Sequence, residues 1–475
     1  MTTAGAGPER IHLIGIGGTG MTALAGLLAG AGCRVTGSDL QLYPPTSIIL
    51  ERLGLEVHTG FDPAHLSPRP DLVVVGNAIS RGNPELEELL DLGIPFTSMP
   101  ALIHERFLQG RHSIVVAGTH GKTTTASMMA WVLSSAGREP GFLIGGAPLN
   151  FGLPFRLGEG KDFVIEGDEY DTAFFDKGPK FMHYRPDTVL LGTVEFDHAD
   201  IYRDLDEVKT AFRRLVNLVP RRGLIVRHEE SPPTVEVSAA ALSRVEGYGL
   251  ECGRWRAVDV RETPDGSCFR VCCDGRPFLD ARLSMVGRHN LRNALAVVAA
   301  AHDRGLTAKQ IAEGLATFRG VKRRMELRGE AAGVRVYDDF AHHPTAVAES
   351  LRGMRSRHPK DRIWAVIEPR SYSMRHDVFQ RDLTNAFDGA DEVLIARVHR
   401  AESVPDADRL DAERLADELT ARGRSARYLP EVEAIIDFLV GAARRGDIVV
   451  VMSNGGFGDL HERLLDALRR SPQGR

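Results

Sequence analysis

The sequence predicts an α/β protein of three domains: an N-terminal Rossmann-like domain, a central P-loop ATPase-like domain and a C-terminal Rossmann-like domain. Three observations lead there. The 475 residues exceed what one ordinary core accommodates. Short apolar runs alternate with helical stretches, the signature of parallel sheets with crossover helices. Glycine-rich turns follow apolar runs and precede helical stretches at residues 15–20 and 118–124.

In the first hundred residues, strands are expected over 11–16, 34–38 and 71–76, with a helix over 21–31. The pattern restarts near Gly110. Residues 113–117 are apolar and β-branched, as in a buried parallel strand, and a helix is expected over 123–135. Strands at 163–165 and 188–191 follow, then a less regular stretch over 231–277 and a helix over 290–304. After the charged segment 322–328 the rhythm becomes regular. Strands are expected at 334–338, 363–367, 392–396 and 448–452, with helices at 344–355, 378–387, 411–420, 432–443 and 460–469. The expected domains are therefore 1–109, 110–321 and 322–475.

Charge and composition narrow the function classes. Lys and Arg number 59 against 64 Asp and Glu, a net charge of -5, without the basic stripe of a nucleic-acid binder. The start, MTTAGAGPER, has no basic segment leading into an apolar core, so a cytoplasmic location is expected. Residues 11–32 approach membrane-spanning length, but their glycines fit a soluble fold better, and no membrane partner is expected. The cysteines, Cys33, Cys252, Cys268, Cys272 and Cys273, match neither a metal pair nor a disulfide framework and are read as reduced thiols.

The strongest chemical signal is Gly118-Thr119-His120-Gly121-Lys122-Thr123-Thr124. Glycines let successive backbone amides point at phosphate oxygens, and the following helix N-terminus adds a favourable field. Lys122 is suited to the terminal phosphates of ATP and the Thr123 hydroxyl to magnesium. Val116 stands at the first glycine position of the usual motif, so this is a shorter variant.

Two acidic strand ends follow. The run 163–165 leads into Glu166-Gly167-Asp168-Glu169-Tyr170-Asp171, a density of carboxylates that calls for a nearby cation, with Glu166 the best-anchored magnesium ligand. A second apolar run leads into Glu195-Phe196-Asp197-His198-Ala199-Asp200, where His198 can ligate metal or orient a substrate group. In the first domain, Gly15-Ile16-Gly17-Gly18-Thr19-Gly20 and the later Asp39 form a dinucleotide fingerprint, which alone suggests NAD.

The segments GTHGKTTT, EGDEYD, EFDHAD, GRHNLRN at 287–293 and YDDFAHHP at 337–344 together resemble the Mur ligase family, in order and along essentially the whole chain. These enzymes join amino acids or peptides to UDP-N-acetylmuramate. Details at 43–45, 76–78, 81–84, 173–177, 368–371 and 452–457 resemble the family branch that attaches the murein tripeptide L-alanyl-γ-D-glutamyl-meso-diaminopimelate in peptidoglycan recycling. The branch that adds L-alanine in de novo peptidoglycan synthesis is the alternative. A nicotinamide oxidoreductase would leave the central loop and the third domain idle, and a non-enzymatic ATP-binding switch would bind nucleotide without forming product. Thr193 replaces a common asparagine, Gly167 a usual alanine, and Tyr372 stands where the tripeptide branch tends to carry asparagine.

The resemblance implies an acyl phosphate, formed when the sugar-nucleotide carboxylate attacks the γ-phosphate of ATP. It gives Lys122, Arg324 and His198 catalytic roles, and Thr123, Glu166 and His198 the magnesium. ATP contacts are implied for Gly118, Thr119, His120, Gly121, Lys122, Thr123, Thr124, His289, Asn290, Arg324 and Asp339. Arg323 is the alternative to Arg324, and Asp338 the alternative to Asp339. The first glycine loop is assigned to UDP, through Gly15, Gly17, Gly18, Thr19, Gly20 and Asp39. Glu368, Arg370, Ser371, Ser453 and Asn454 are expected at the peptide, whose carboxylates suit the planar fork of Arg370. His342 and His343 are read as helix caps. The implied cofactors are ATP and magnesium, and no obligatory protein partner is indicated.

Overall fold

A computed structural model describes residues 8–471. The leading and trailing residues, including most of the segment read for a leader, lie outside the described residues. By Cα proximity the chain divides into two compact units. One comprises Met1–Glu195, Asp206–Arg256 and Ala294–Gly314; the other comprises Phe196–Leu205, Ala257–Asn293 and Leu315–Arg475.

The first unit contains a 5-stranded sheet in the order Glu56–Thr59, Arg34–Asp39, Arg10–Ile14, Leu72–Val75, Phe96–Ser98. Every neighbouring pair is parallel. Parallel strands covered by crossover helices bury both faces, which is why Ile11, Leu13 and Ile14 are all in the core. The opening strand ends at Ile14, two residues before the expected end. Gly15 turns to φ +85°, and the amides of Gly15 and Ile16 both donate to the Ser38 carbonyl. The chain therefore leaves the ladder before the helix Thr19–Gly30.

The same unit holds a second run of strands in the order Arg244–Gly249, Leu224–His228, Thr188–Leu191, His112–Ala117, Asp162–Gly167, Gly141–Leu143, Phe155–Arg156. Their pairing is parallel until the last two, which are antiparallel. The hairpin strands Asp171–Ala173 and Asp176–Pro179 leave this run, and Phe174 at their turn packs against the core formed by Ile14, Val75, Ile79 and Leu86. The stretch expected to be less regular is well ordered. It contains the helix Pro232–Ser238 and the strands Arg244–Gly249, Trp255–Thr263 and Gly266–Cys273, with Arg276–Leu283 beginning inside it. The last two strands form an antiparallel hairpin whose outward positions mix cysteines (Cys268, Cys273) with charges (Arg270, Arg276, Asp280, Arg282), which blurs the apolar alternation in the sequence.

In the second unit a 6-stranded sheet runs Glu326–Ala331, Val334–Asp339, Ile448–Met452, Ile363–Ile367, Glu392–Ile395, Ser425–Tyr428. Only the edge pair Glu326–Ala331 with Val334–Asp339 is antiparallel. The two-residue period of the strands splits the apolar residues between two cores. Ile363, Ala365 and Ile367 pack on one face with Val347, Leu351 and Phe387; Trp364 and Val366 pack on the other with Ile435, Leu439 and Leu464.

The helix expected over 378–387 is instead broken. Short helices Tyr372–Arg375 and Gln380–Leu383 flank a 3-10 turn at Asp377–Phe379. Phe379, Leu383 and Phe387 are buried at near-helical spacing, but Val378 is 43% exposed. The Thr384 hydroxyl and the Asn385 amide bond back over three residues, to the carbonyls of Arg381 and Asp382, and close the segment in turns.

Candidate functional site

The phosphate loop is built from the end of the strand His112–Ala117 and the start of the helix Lys122–Ser135. Gly118 lies at φ +130° and Gly121, the residue before the helix, at φ +78°. A β-carbon on Gly118 would sit 3.0 Å from the backbone of Gly192, so the loop needs glycine for both conformation and space. The Thr119 amide donates to the Thr193 carbonyl at 2.7 Å, and the Thr119 hydroxyl accepts from the Glu195 amide at 2.9 Å. The contact to Thr193 uses only its backbone, so the threonine in place of asparagine leaves it intact.

The Lys122 ammonium donates to the Gly118 carbonyl at 2.8 Å and to Glu169 at 2.8 and 3.1 Å. Burial by itself would lower its pKa, but the Glu169 and Asp168 carboxylates outweigh that and hold it above the ordinary lysine value. The Thr123 hydroxyl donates to Glu166 at 3.2 Å, and the Gly145 amide donates to the other oxygen of that carboxylate at 2.5 Å. His120 lies 3.2 Å from Glu195, and Thr124 is buried in the first turn of the helix. The structure therefore brings Lys122, Thr123 and Glu166 together at one helix N-terminus.

The crowded carboxylates after the strand Asp162–Gly167 have distinct partners. Glu169 pairs with Lys122, Asp168 with Lys180 at 2.7 Å and Asp171 with Lys177 at 2.7 Å. Three lysines thus relieve much of the repulsion read from the sequence. Glu166 accepts from the Thr123 hydroxyl and the Gly145 amide. Thr123 and Glu166 fit a hard divalent cation, which prefers carboxylate and hydroxyl oxygen.

In the first sheet, the Gly17 amide donates to Asp39 Oδ2 at 2.8 Å, and a β-carbon on Gly17 would meet that oxygen at 2.8 Å. Gly15, Gly17 and Asp39 are brought together here. Gly18 is the N-cap position of the helix that Thr19 and Gly20 open.

In the second unit, Asp197 and His198 precede a tight turn. The His198 backbone lies at φ +56° and its amide donates to Asp197 Oδ1 at 2.7 Å. Burial favours the neutral acid at Asp197, but His198, His342 and His343 hold its pKa down at about 2. Ser373 also donates to that carboxylate, at 2.8 Å. His343 caps the helix Pro344–Arg357 by accepting from the Thr345 amide at 3.2 Å, whereas His342 contacts the Phe340 carbonyl.

Arg323 and Arg324 both approach the Phe340 ring, the Arg323 guanidinium at 5.3 Å from its centroid. Arg323 donates to the carbonyls of Ser453 and Gly455 at 2.8 and 2.7 Å and pairs with Asp338 at 3.3 Å. Arg324 lies over the Phe340 ring, 4.9 Å from its centroid. Burial would raise the pKa of Asp338, but His461, Arg323 and Arg328 pull it down. Asp339 accepts from the amides of Met325 and Ala341, both at 2.8 Å; burial pushes its pKa up against the pull of Arg324 and these amides. The Asn290 side chain donates to the Val286 carbonyl at 2.8 Å, and His289 faces Glu349 at 3.6 Å.

The expected peptide residues gather at the carboxyl ends of the strands Ile363–Ile367 and Ile448–Met452. Ser453 donates to Glu368 at 2.5 Å, and Arg370 lies 3.5 Å from the same carboxylate. Asn454 Oδ1 is buried and has no hydrogen-bond partner among the described residues. Ser371 caps the helix Tyr372–Arg375 by accepting from the Met374 amide. His399, absent from the sequence-based set, approaches Glu368 at 3.7 Å; burial, then Arg370, lowers its pKa. No local motif marks His399. It arrives because the strand Glu392–Ile395 pairs beside Ile363–Ile367.

All five cysteines are free: Cys33, Cys252, Cys268, Cys272 and Cys273. Among the described residues no helix is long and apolar enough to cross a membrane.

Comparison with known proteins places these features in a family. Residues 10–109 match the Mur ligase family catalytic domain, 116–301 the Mur ligase middle domain, and 323–455 the Mur ligase glutamate ligase domain. The UDP-N-acetylmuramate--L-alanyl-gamma-D-glutamyl-meso-2,6-diaminoheptandioate ligase of Escherichia coli (strain K12) is 43% identical over 98% of this chain and 99% of its own length. The enzyme of that name from Haemophilus influenzae is 39% identical over 97% of this chain and 99% of its own. A crystal structure of a murein peptide ligase from Psychrobacter arcticus 273-4 is 39% identical, covers 97% of this chain and 99% of its own, and superposes with a TM-score of 0.73. The chain belongs to the Mur ligase family of ATP-dependent, ADP-forming ligases.

Proposed function

We propose that this enzyme joins the tripeptide L-alanyl-γ-D-glutamyl-meso-diaminopimelate to UDP-N-acetylmuramate in peptidoglycan recycling, within the cytoplasm. The observation that carries the chemistry is the convergence of Lys122, Thr123 and Glu166 where the Gly118 loop meets its helix. The acceptor is supported by the names of the relatives at 43% and 39% identity. On this reading, residues 1–109 take the UDP-sugar, 110–321 the ATP and 322–475 the peptide. No obligatory protein partner is needed.

A free carboxylate is a poor acyl donor because its leaving group would be oxide. In the proposed reaction, the sugar-nucleotide carboxylate oxygen bonds to the γ-phosphorus as the bond to the bridging oxygen breaks, and ADP leaves. The peptide amine then attacks the acyl carbon, loses a proton and expels phosphate. Alignment and charge stabilisation are what the protein supplies, without a covalent nucleophile of its own.

Backbone amides of the loop 118–124 would cradle the phosphates, apart from that of Thr119, which is given to Thr193, and the Lys122 ammonium would face the transferring group. Thr123 and Glu166 would hold magnesium, which when bound offsets phosphate charge. Gly15, Gly17, Gly18, Thr19, Gly20 and Asp39 would bind the UDP moiety, with Asp39 moving from the Gly17 amide to the ribose. The roles given by family resemblance to His198, His289, Asn290, Arg324 and Asp339 fall on the second unit, and each is testable by substitution. Glu368, Arg370, Ser371, Ser453 and Asn454 would meet the peptide.

Phosphate release should be measured with ATP, UDP-N-acetylmuramate and either the tripeptide or L-alanine. The tripeptide should give the higher kcat/KM. A preference for L-alanine would overturn the acceptor assignment and support alanine addition, the activity named for relatives at 32% identity.

A further inference from the structure

An ammonium has three donors, and those of Lys122 already have protein acceptors. Two are backbone carbonyls, Gly118 at 2.8 Å and Thr119 at 3.4 Å; the third acceptor is the Glu169 carboxylate at 2.8 and 3.1 Å. The carbonyls belong to a loop fixed by the approach of Gly118 to Gly192 and by the hydrogen bond from Thr119 to Thr193. Glu169 is different in kind. Its side chain is 2% exposed and that of Lys122 is 14% exposed, so the pair is largely dehydrated.

Glu169 lies in the short connection between the strands Asp162–Gly167 and Asp171–Ala173, outside either ladder. Its neighbours are pinned. Asp168 pairs with Lys180 at 2.7 Å, and the Lys180 amide donates to the Tyr170 carbonyl at 3.0 Å. The backbone on both sides of Glu169 is thus held by contacts other than the ion pair with Lys122.

We propose that Glu169 is a place-holding counter-ion, its carboxylate occupying the position on Lys122 that a nucleotide phosphate takes and returning to it as ADP leaves. The inference rests on residues 118–124 being the ATP loop and assigns a new positioning residue to that site. Two electrostatic costs support it. A dehydrated ammonium left without a counter-anion by departing phosphate is unfavourable, and a returning carboxylate removes that cost. A phosphate arriving at Lys122 with Glu169 still in place would put two anions on one ammonium and repel the carboxylate. Competition of this kind weakens apparent nucleotide affinity by the fraction of molecules in which Lys122 is available, and it speeds product release.

The test compares the full-length enzyme with its Glu169→Gln, Glu169→Asp and Lys122→Ala variants, using ADP with magnesium as the probe in calorimetry and stopped-flow displacement. Glu169→Gln should tighten ADP binding about tenfold and slow its dissociation to match, while the KM for UDP-N-acetylmuramate stays unchanged. Glu169→Asp, which keeps the charge, should stay close to wild type. Unchanged or weaker ADP binding in Glu169→Gln overturns the proposal, as does a loss of Tm that makes Glu169 a fold-supporting residue. The underlying site is tested separately. If Lys122→Ala binds ADP as wild type does, the ATP-loop reading fails; if it loses binding while Glu169→Gln changes nothing, only the counter-ion role fails.

Discussion

The Thr123 hydroxyl donates to the Glu166 carboxylate at 3.2 Å, although 43 positions separate them in the chain. The register of two parallel strands sets this meeting: Val116 pairs with Glu166 and Ala117 with Gly167. Glu166 therefore stands beside the strand end from which the phosphate loop departs. Glu166→Gln keeps the shape and removes the charge. The magnesium concentration for half-maximal phosphate release should rise about 10- to 100-fold, with Tm nearly unchanged. An unaltered magnesium dependence would remove Glu166 from the metal set.

Gly118→Ala should be costly for two independent reasons. The backbone lies at φ +130°, and the added methyl would press on Gly192 at 3.0 Å. Stability should fall by about 1–3 kcal/mol and ATP affinity should fall with it. Gly110→Ala is the control: its φ is +77° and nothing lies within 4 Å of the added methyl, so only the conformational cost remains. Urea unfolding of the two variants separates strain from collision.

Asp197 should make stability depend on acid. Its pKa in the fold is about 2, below the ordinary 3.8, so the stabilisation is fully present above the unfolded value and disappears as pH falls from about 4 through 2. By pH ~3 the loss from this group should reach about 1 kcal/mol. Asp197→Asn should show a smaller difference between its unfolding midpoints at pH ~5 and pH ~3 than wild type does. Equal differences in the two proteins would refute the assignment.

The adjacent arginines should fail in different ways. Arg323→Ala leaves two carbonyls and Asp338 without one donor and should lower stability by about 2–4 kcal/mol. Arg324→Ala removes a guanidinium that lies over Phe340 and pulls on the buried Asp339, and should lower kcat about 100-fold or more. Thermal melts beside phosphate-release kinetics decide the matter; the reverse pattern would move the catalytic role to Arg323.

Local patterns were legible wherever a few consecutive residues carry the physics. The strand Thr188–Leu191 and the strand Ile448–Met452 are bounded as read, because uninterrupted apolar runs between polar breaks have one solution in a parallel sheet. Residues 378–387 were misleading because buried side chains at helical spacing can also be supplied by successive turns. The antiparallel strands between Gly266 and Leu283 are obscured because outward cysteines on one strand and outward charges on the other leave no uniform polar alternation.

The phosphate loop is readable from local sequence alone, since the glycines, the lysine and the helix start lie within seven consecutive positions, 118–124, and need no distant residue to define them. The α/β class is equally readable, through the alternation of strands and helices. Chain packing was needed to show that Glu169 is the anion on Lys122, that Arg323 reaches the carbonyls of Ser453 and Gly455, and that His399 stands beside Glu368. Each of those outcomes depends on how segments far apart in the chain pair and pack, which no local spacing encodes.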